Sequence, residues 1–161
     1  MEEIMRREHS RVKKLSPKFY ADYDEAAYPE ILRKKNRPYN CLFFSTKDYV
    51  ICVPFRSNVN HRYGFRFKKS ARSTKSRSGL DYKKIVIIKN TEYIGDDTAV
   101  IDKDEFTEAI ENISKIKKEV LKFINDYVRN LKGEIRLDTR EFNRRYQWSS
   151  LQYFHKELGL S

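Results

Sequence analysis

YNCLFFSTKDYVICVP, residues 39–54, decides the fold. Residues 39–44 and 49–54 are apolar runs of strand composition, and Ser45-Thr46-Lys47-Asp48 between them is a turn composition. The reading is an antiparallel hairpin. Working outward, residues 84–88 are a continuous apolar run and read as a central buried strand. Residues 90–97 are turn-rich, with Tyr93-Ile94 a short strand and residues 99–101 another. Upstream, residues 1–15 read as a short, highly charged helix ended by the break Ser16-Pro17. Residues 19–35 read as helical or turn-like, interrupted by Pro29.

The clearest helix is expected near 103–132. Phe106, Ile110, Ile113, Ile116, Val120, Ile124, Tyr127 and Leu131 recur at three- and four-residue steps and make one apolar face. Asp102 with Glu105 resembles a capping box, and Gly133 is placed to end the helix. A last helix begins near Asp138 or Thr139, with Phe142, Tyr146, Leu151, Phe154 and Leu158 inward. The class is therefore α+β, an antiparallel sheet with flanking helices, and 161 residues suit one domain, 1–161.

The formal charge of +11 points to a polyanionic partner. No long apolar run and no basic amphipathic anchor favours a membrane, and the first residues are too charged for a secretory signal, so a cytoplasmic protein is expected. Cys41 and Cys52 lie in strand-like runs and read as buried thiols. The sequence carries no zinc-ligand spacing, no nucleotide-binding fingerprint and no Ser-His-Asp signature, so neither a metal nor a cofactor is expected.

The charge is concentrated. Between Asp48 and Asp81 there is no acidic residue, yet there are eight cations: Arg56, Arg62, Arg66, Lys68, Lys69, Arg72, Lys75 and Arg77. Tyr49, Phe55, Tyr63, Phe65 and Phe67 are threaded among them. Cations neutralise phosphates and release counterions, while rings offer stacking surfaces to unpaired bases. The stretch reads as a surface for single-stranded nucleic acid, and RNA is the expected partner. Tyr49, Asn58, Arg62, Tyr63, Phe65, Arg66, Lys68, Lys69, Arg72, Lys75 and Arg77 are the candidate contacts. Tyr63, Phe65 and Phe67 alternate with Arg62, Arg66 and Lys68, which puts rings and cations on opposite faces of a strand. Residues 70–79 read as a mobile surface loop that RNA would order.

The turn after the second strand reads VPFRSNVNH, residues 53–61. Ser57 and Asn58 can donate to phosphate oxygens, and Arg56 can pair them with a planar fork. An ordinary turn has the same composition, but the neighbouring cations favour function. His61 alone among three histidines lies in the basic segment, where it can transfer protons, stack on a base or simply be solvated. Acids that might hold a metal, Asp96, Asp97 and Asp102, lie outside this segment and suit a turn and a helix cap. RNA permits metal-free cleavage, because its own 2′-hydroxyl can attack the adjacent phosphate.

The ordered features over residues 39–127 resemble the ToxN/AbiQ-like toxins of type III toxin–antitoxin systems, and most nearly their TenpN/CptN branch. They are the strand into Val53-Pro54-Phe55-Arg56-Ser57, then Ser78-Gly79-Leu80-Asp81-Tyr82 opening a buried strand, then the long helix. Better-known members carry Pro-Leu-Thr-Ser where this chain has Pro54-Phe55-Arg56-Ser57. Ser57 takes the position of the family's functional serine, and Arg56 replaces its threonine. The family's lysine before the first strand falls near Arg37, and its later lysine near Val59-Asn60-His61. Arginine stays protonated and cannot be a general base, so it would stabilise charge while His61 supplied proton transfer. The resemblance implies a small, twisted, SH3-like antiparallel sheet or barrel with added helices. It implies a metal-independent endoribonuclease that leaves 2′,3′-cyclic phosphate ends on cellular or phage RNA. It also implies a small, repeat-encoded antitoxin RNA, cut from its precursor by the toxin and then blocking it in a closed assembly. Charge and aromatics alone equally fit a non-catalytic RNA-binding or ribosome-associated protein. A DNA-binding regulator fits less well, for want of a helix-turn-helix with a basic recognition helix.

Overall fold

The hairpin forms as expected. β2 (Asn40–Ser45) pairs antiparallel with β3 (Val50–Arg56) in the register Cys41↔Pro54 through Ser45↔Val50. Thr46 closes the turn: its N–H and its hydroxyl both donate to the Tyr49 carbonyl, at 2.8 and 3.0 Å. The computed structural model describes residues 12–34, 39–98 and 101–160.

The other edge of β3 is shared. Its first half pairs with β6 (Val86–Ile88), the expected buried strand, and its end pairs with β5 (Gly79–Asp81). Pro54, which has no N–H to donate, lies where β3 passes from one partner to the other. β4 (Gly64–Arg66) adds to β5, so the run of rings and cations contributes a strand of three residues. The two cross closely: a Cβ on Gly64 would come within 2.5 Å of the Leu80 carbonyl oxygen, and one on Gly79 equally near that of Phe65.

On the far side the sheet continues from β2 to β1 (Val12–Leu15) and β7 (Ile94–Thr98). Residues 12–15 are thus a strand and not the end of a helix, because Val12 and Leu15 face the core while Lys13 and Lys14 are half-exposed. The proposed helix over residues 1–11 lies outside the described residues, as do Arg37 and most of the strand expected at 99–101. The order is β4-β5-β3-β2-β1-β7, with β6 beside β3. Among the described residues the sheet does not close on itself, so a barrel is not formed; the class is α+β with an open antiparallel sheet.

α1 (Pro17–Asp22) begins at the Ser16-Pro17 break: Ser16 is its N-cap and Pro17 occupies the first turn, where a missing N–H costs nothing. The helix expected at 103–132 is two, α3 (Lys103–Glu111) and α4 (Ile113–Leu131). Asn112 divides them. Its Nδ2 donates to the Glu108 carbonyl at 2.8 Å, and its N–H is shared between the carbonyls of Glu108 and Ala109. This side chain competes with the backbone for the helical acceptors. Asp102 caps α3 as expected, accepting from the N–H groups of Asp104 and Glu105. α5 (Thr139–Tyr146) is capped by Asp138 and leads into a 3₁₀ turn, Ser150–Tyr153.

One core joins sheet and helices, from Val12 to Leu158. Ile116, Val120, Phe123, Ile124 and Tyr127 of α4 are buried, as are Tyr146, Leu151, Phe154 and Leu158. Leu131 is the exception to the expected apolar face, being exposed at the end of α4. Among the described residues no helix is long and apolar enough to cross a membrane.

Candidate nucleic-acid interface

The site is organised by an acid. Asp81 ends β5, paired with Gly64 of β4, and its side chain is 1% exposed. Its Oδ2 accepts from Arg56 Nη1 at 3.0 Å; its Oδ1 accepts from the Lys83 N–H and meets His61 Nε2, both at 2.9 Å. Burial alone would push this carboxyl up, but the hydrogen bond from His61 and the charge of Arg56 outweigh it and hold it below its usual range. The Tyr63 N–H donates to His61 Nδ1 at 3.1 Å. That assigns the ring proton to Nε2, which gives it to Asp81. Both imidazole nitrogens are therefore engaged in hydrogen bonds.

Arg56 is half committed. Nε donates to the Ser57 carbonyl and Nη1 to Asp81, and Nη2 has no partner among the described residues. The Ser57 hydroxyl is half-buried and has no partner among the described residues. Asn58 and Arg77 are the two non-glycine residues with positive φ among the described residues, at 58° and 50°. They sit side by side, since the Asn58 and Val59 N–H groups donate to the Ser76 and Arg77 carbonyls. The turn after β3 is thus pinned to the end of α2 (Ala71–Ser76), with strained backbone on both sides.

His61 also opens onto a groove of about 780 Å³ between the basic segment and the helices α3 and α4. Arg62, Phe65, Arg66, Lys68 and Lys69 line one side, and Glu108, Glu111, Asn112, Lys115 and Glu119 are on the other, five cations against three acids. Lys115 lies 6.0 Å over the half-buried Phe65 ring. Arg66 reaches back to the His61 carbonyl.

The expected mobile loop at 70–79 is instead a fastened helical turn. Glu105, 1% exposed, accepts from the buried hydroxyls of Ser70 and Ser78 at 2.9 and 2.7 Å. It also accepts from two nitrogens of Arg72. Glu108, also buried, accepts from the N–H groups of Lys68 and Lys69. So Glu105 turns to the basic segment and does not complete the capping box.

These acids correct the charge reading. The stretch has no counter-ions in sequence but receives them in space: Asp81 for Arg56, Glu105 for Arg72, Glu111 for Lys69 and, weakly, Glu141 for Arg62. Arg66, Lys68, Lys75 and Arg77 have no ion pair among the described residues.

Of the candidate contacts, Arg62, Phe65, Arg66, Lys68 and Lys69 gather in the groove with His61. Tyr63 borders it, packed against Phe123. Lys75, Arg77 and Asn58 are exposed around the α2 end, beside it. Arg72 is spent on Glu105. Tyr49 is not brought in; it precedes the opposite end of β3, about 26 Å of extended chain from Ser57. Phe55 and Phe67 are core, stacked on each other with centroids 5.7 Å apart, and offer no face to a base. Asp81, Glu105, Glu108 and Lys115 were missed as site-building residues. The signal for Asp81 was its place between two apolar strands, where a carboxylate has to be paired. No family model, curated protein or solved structure matches the chain.

Proposed function

We propose that this protein is a metal-independent endoribonuclease toxin of the ToxN/AbiQ-like type, TenpN/CptN branch, that holds single-stranded RNA along the groove. The observation that carries this reading is the groove's imbalance: Arg66 and Lys68 face it without ion pairs, beside the half-exposed Phe65 ring. Such a surface suits a backbone of phosphates and unstacked bases.

Cleavage would take place at the end of β3. The RNA 2′-oxygen bonds to phosphorus as its proton passes to water, and the bond from phosphorus to the 5′-oxygen breaks as that oxygen takes a proton from water. Arg56 Nη2 and the Ser57 hydroxyl supply donors to the non-bridging oxygens as charge develops there. Asp81 fixes the guanidinium and His61 fixes Asp81. Arg37, a candidate from the resemblance, lies outside the described residues. The natural partner in this reading is a small antitoxin RNA. RNA recovered with the protein from cells carrying its own locus should then be a discrete species with 2′,3′-cyclic ends.

The direct test is cleavage of single-stranded RNA in EDTA. Wild-type protein is expected to leave cyclic phosphate ends, and Ser57→Ala to lose about 10²–10³-fold in rate with its melting curve unchanged. A second reading, RNA binding without cleavage, is favoured by one observation: neither ring nitrogen of His61 is free to accept a proton. Binding with no turnover by the wild type would establish that reading instead.

A further inference from the structure

We infer that a second hollow, opening off the groove, takes one base of the bound strand and selects guanine; this rests on the groove being an RNA channel. The hollow is about 230 Å³, smaller than sites for drug-sized ligands and suited to one flat ring system. Tyr63, Tyr82 and Phe123 form its aromatic walls. Arg62, Gly64 and Glu119 line both the hollow and the groove, so the two are continuous. Gly64 puts no side chain across the junction.

The ring of Tyr63 already carries a flat cation, with the Arg62 guanidinium 5.3 Å from its centroid. Arg62 is exposed, and a base can take its place or stack beneath it. The polar groups then decide which base. Asp126 Oδ2 is occupied by Lys122 and Arg145, at 2.8 and 2.9 Å. Those two cations neutralise Asp126, whereas Glu119 has no ion pair among the described residues. Its Oε1 accepts from the Tyr82 hydroxyl at 2.7 Å, and no described residue donates to its Oε2.

A carboxylate offers acceptors only, with two lone pairs on each oxygen. Guanine alone presents two adjacent donors, N1–H and the N2 amino group, on its pairing edge. Adenine and cytosine present one donor beside an acceptor, and uracil one donor between two acceptors, so each would set a lone pair against Glu119. The geometry thus points to a guanine held between aromatic walls and read by Glu119.

The test is equilibrium binding of the full chain to short single-stranded RNAs, 2′-O-methylated so that none is cut, differing at one position among G, A, C and U. The guanine strand is expected to bind about tenfold more tightly than the others. Glu119→Gln, whose amide oxygen can still accept from Tyr82, is expected to erase that preference while other strands bind within about twofold of wild type. Equal binding of all four strands, or a guanine preference that survives in Glu119→Gln, would overturn the base site and leave the groove standing. No binding of any strand would overturn the groove reading, and this inference with it.

Discussion

Asp81 and Glu105 are both buried carboxylates that hold an arginine, yet they do different work. Glu105 spends its acceptors on Ser70, Ser78 and Arg72, all within one segment, and the result is a fastened α2. Asp81 gathers groups from separate elements, Arg56 from β3 and His61 from the following loop, whose side chains are 27% and 26% exposed. One acid closes a structure. The other presents cations at a surface. Each arginine keeps one nitrogen, Arg72 Nη1 and Arg56 Nη2, without a bond among the described residues; the difference is that Glu105 ties one segment to itself, while Asp81 joins separate elements at the end of the basic groove.

Removing each acid separates the two roles. Glu105→Ala leaves two buried hydroxyls without an acceptor and frees Arg72. A loss of about 3 kcal/mol in unfolding free energy is expected, read by urea denaturation. Arg72 is 37% exposed and can hydrate, so the cost falls mainly on the serines. A loss below about 1 kcal/mol would show that the Glu105 contacts do not hold the segment.

Asp81→Asn is expected to cost less stability, about 2 kcal/mol, but to lower RNA cleavage by about 10²-fold, because Arg56 loses its anchor. Its stability effect carries a pH signature. The folded carboxyl titrates below the unfolded one, so its contribution is complete above about pH 4 and disappears as pH falls through the folded value. The stability gap between wild type and Asp81→Asn should therefore be flat at neutral pH and close in acid. A gap that widened in acid would reverse the assignment.

How much of this could be read from the chain follows the same division. The hairpin, the buried strand at 86–88, the Asp102 cap and the inward residues of α4 were legible, because periodicity and turn chemistry act locally. The open sheet was not, since closure depends on strand pairing across the chain. The division of the long helix was missed because Asn112 reads as an ordinary polar position until its side chain is seen competing for the Glu108 carbonyl. The cation cluster was legible, but its counter-ions were not: Glu105 and Glu111 lie more than thirty residues from Arg72 and Lys69 in sequence. His61 stood out by residue type alone, and its hydrogen bonds to Asp81 and from the Tyr63 N–H could not be read from the chain.

RNA binding in the groove depends on Arg66 and Lys68 meeting phosphates that the ion-paired cations do not. The most direct measurement is the salt dependence of single-stranded RNA binding by wild type and by the double variant Arg66→Gln/Lys68→Gln. The slope of log affinity against log salt should become shallower by about 1.4 in the variant. An unchanged slope would place the RNA elsewhere and contradict the groove.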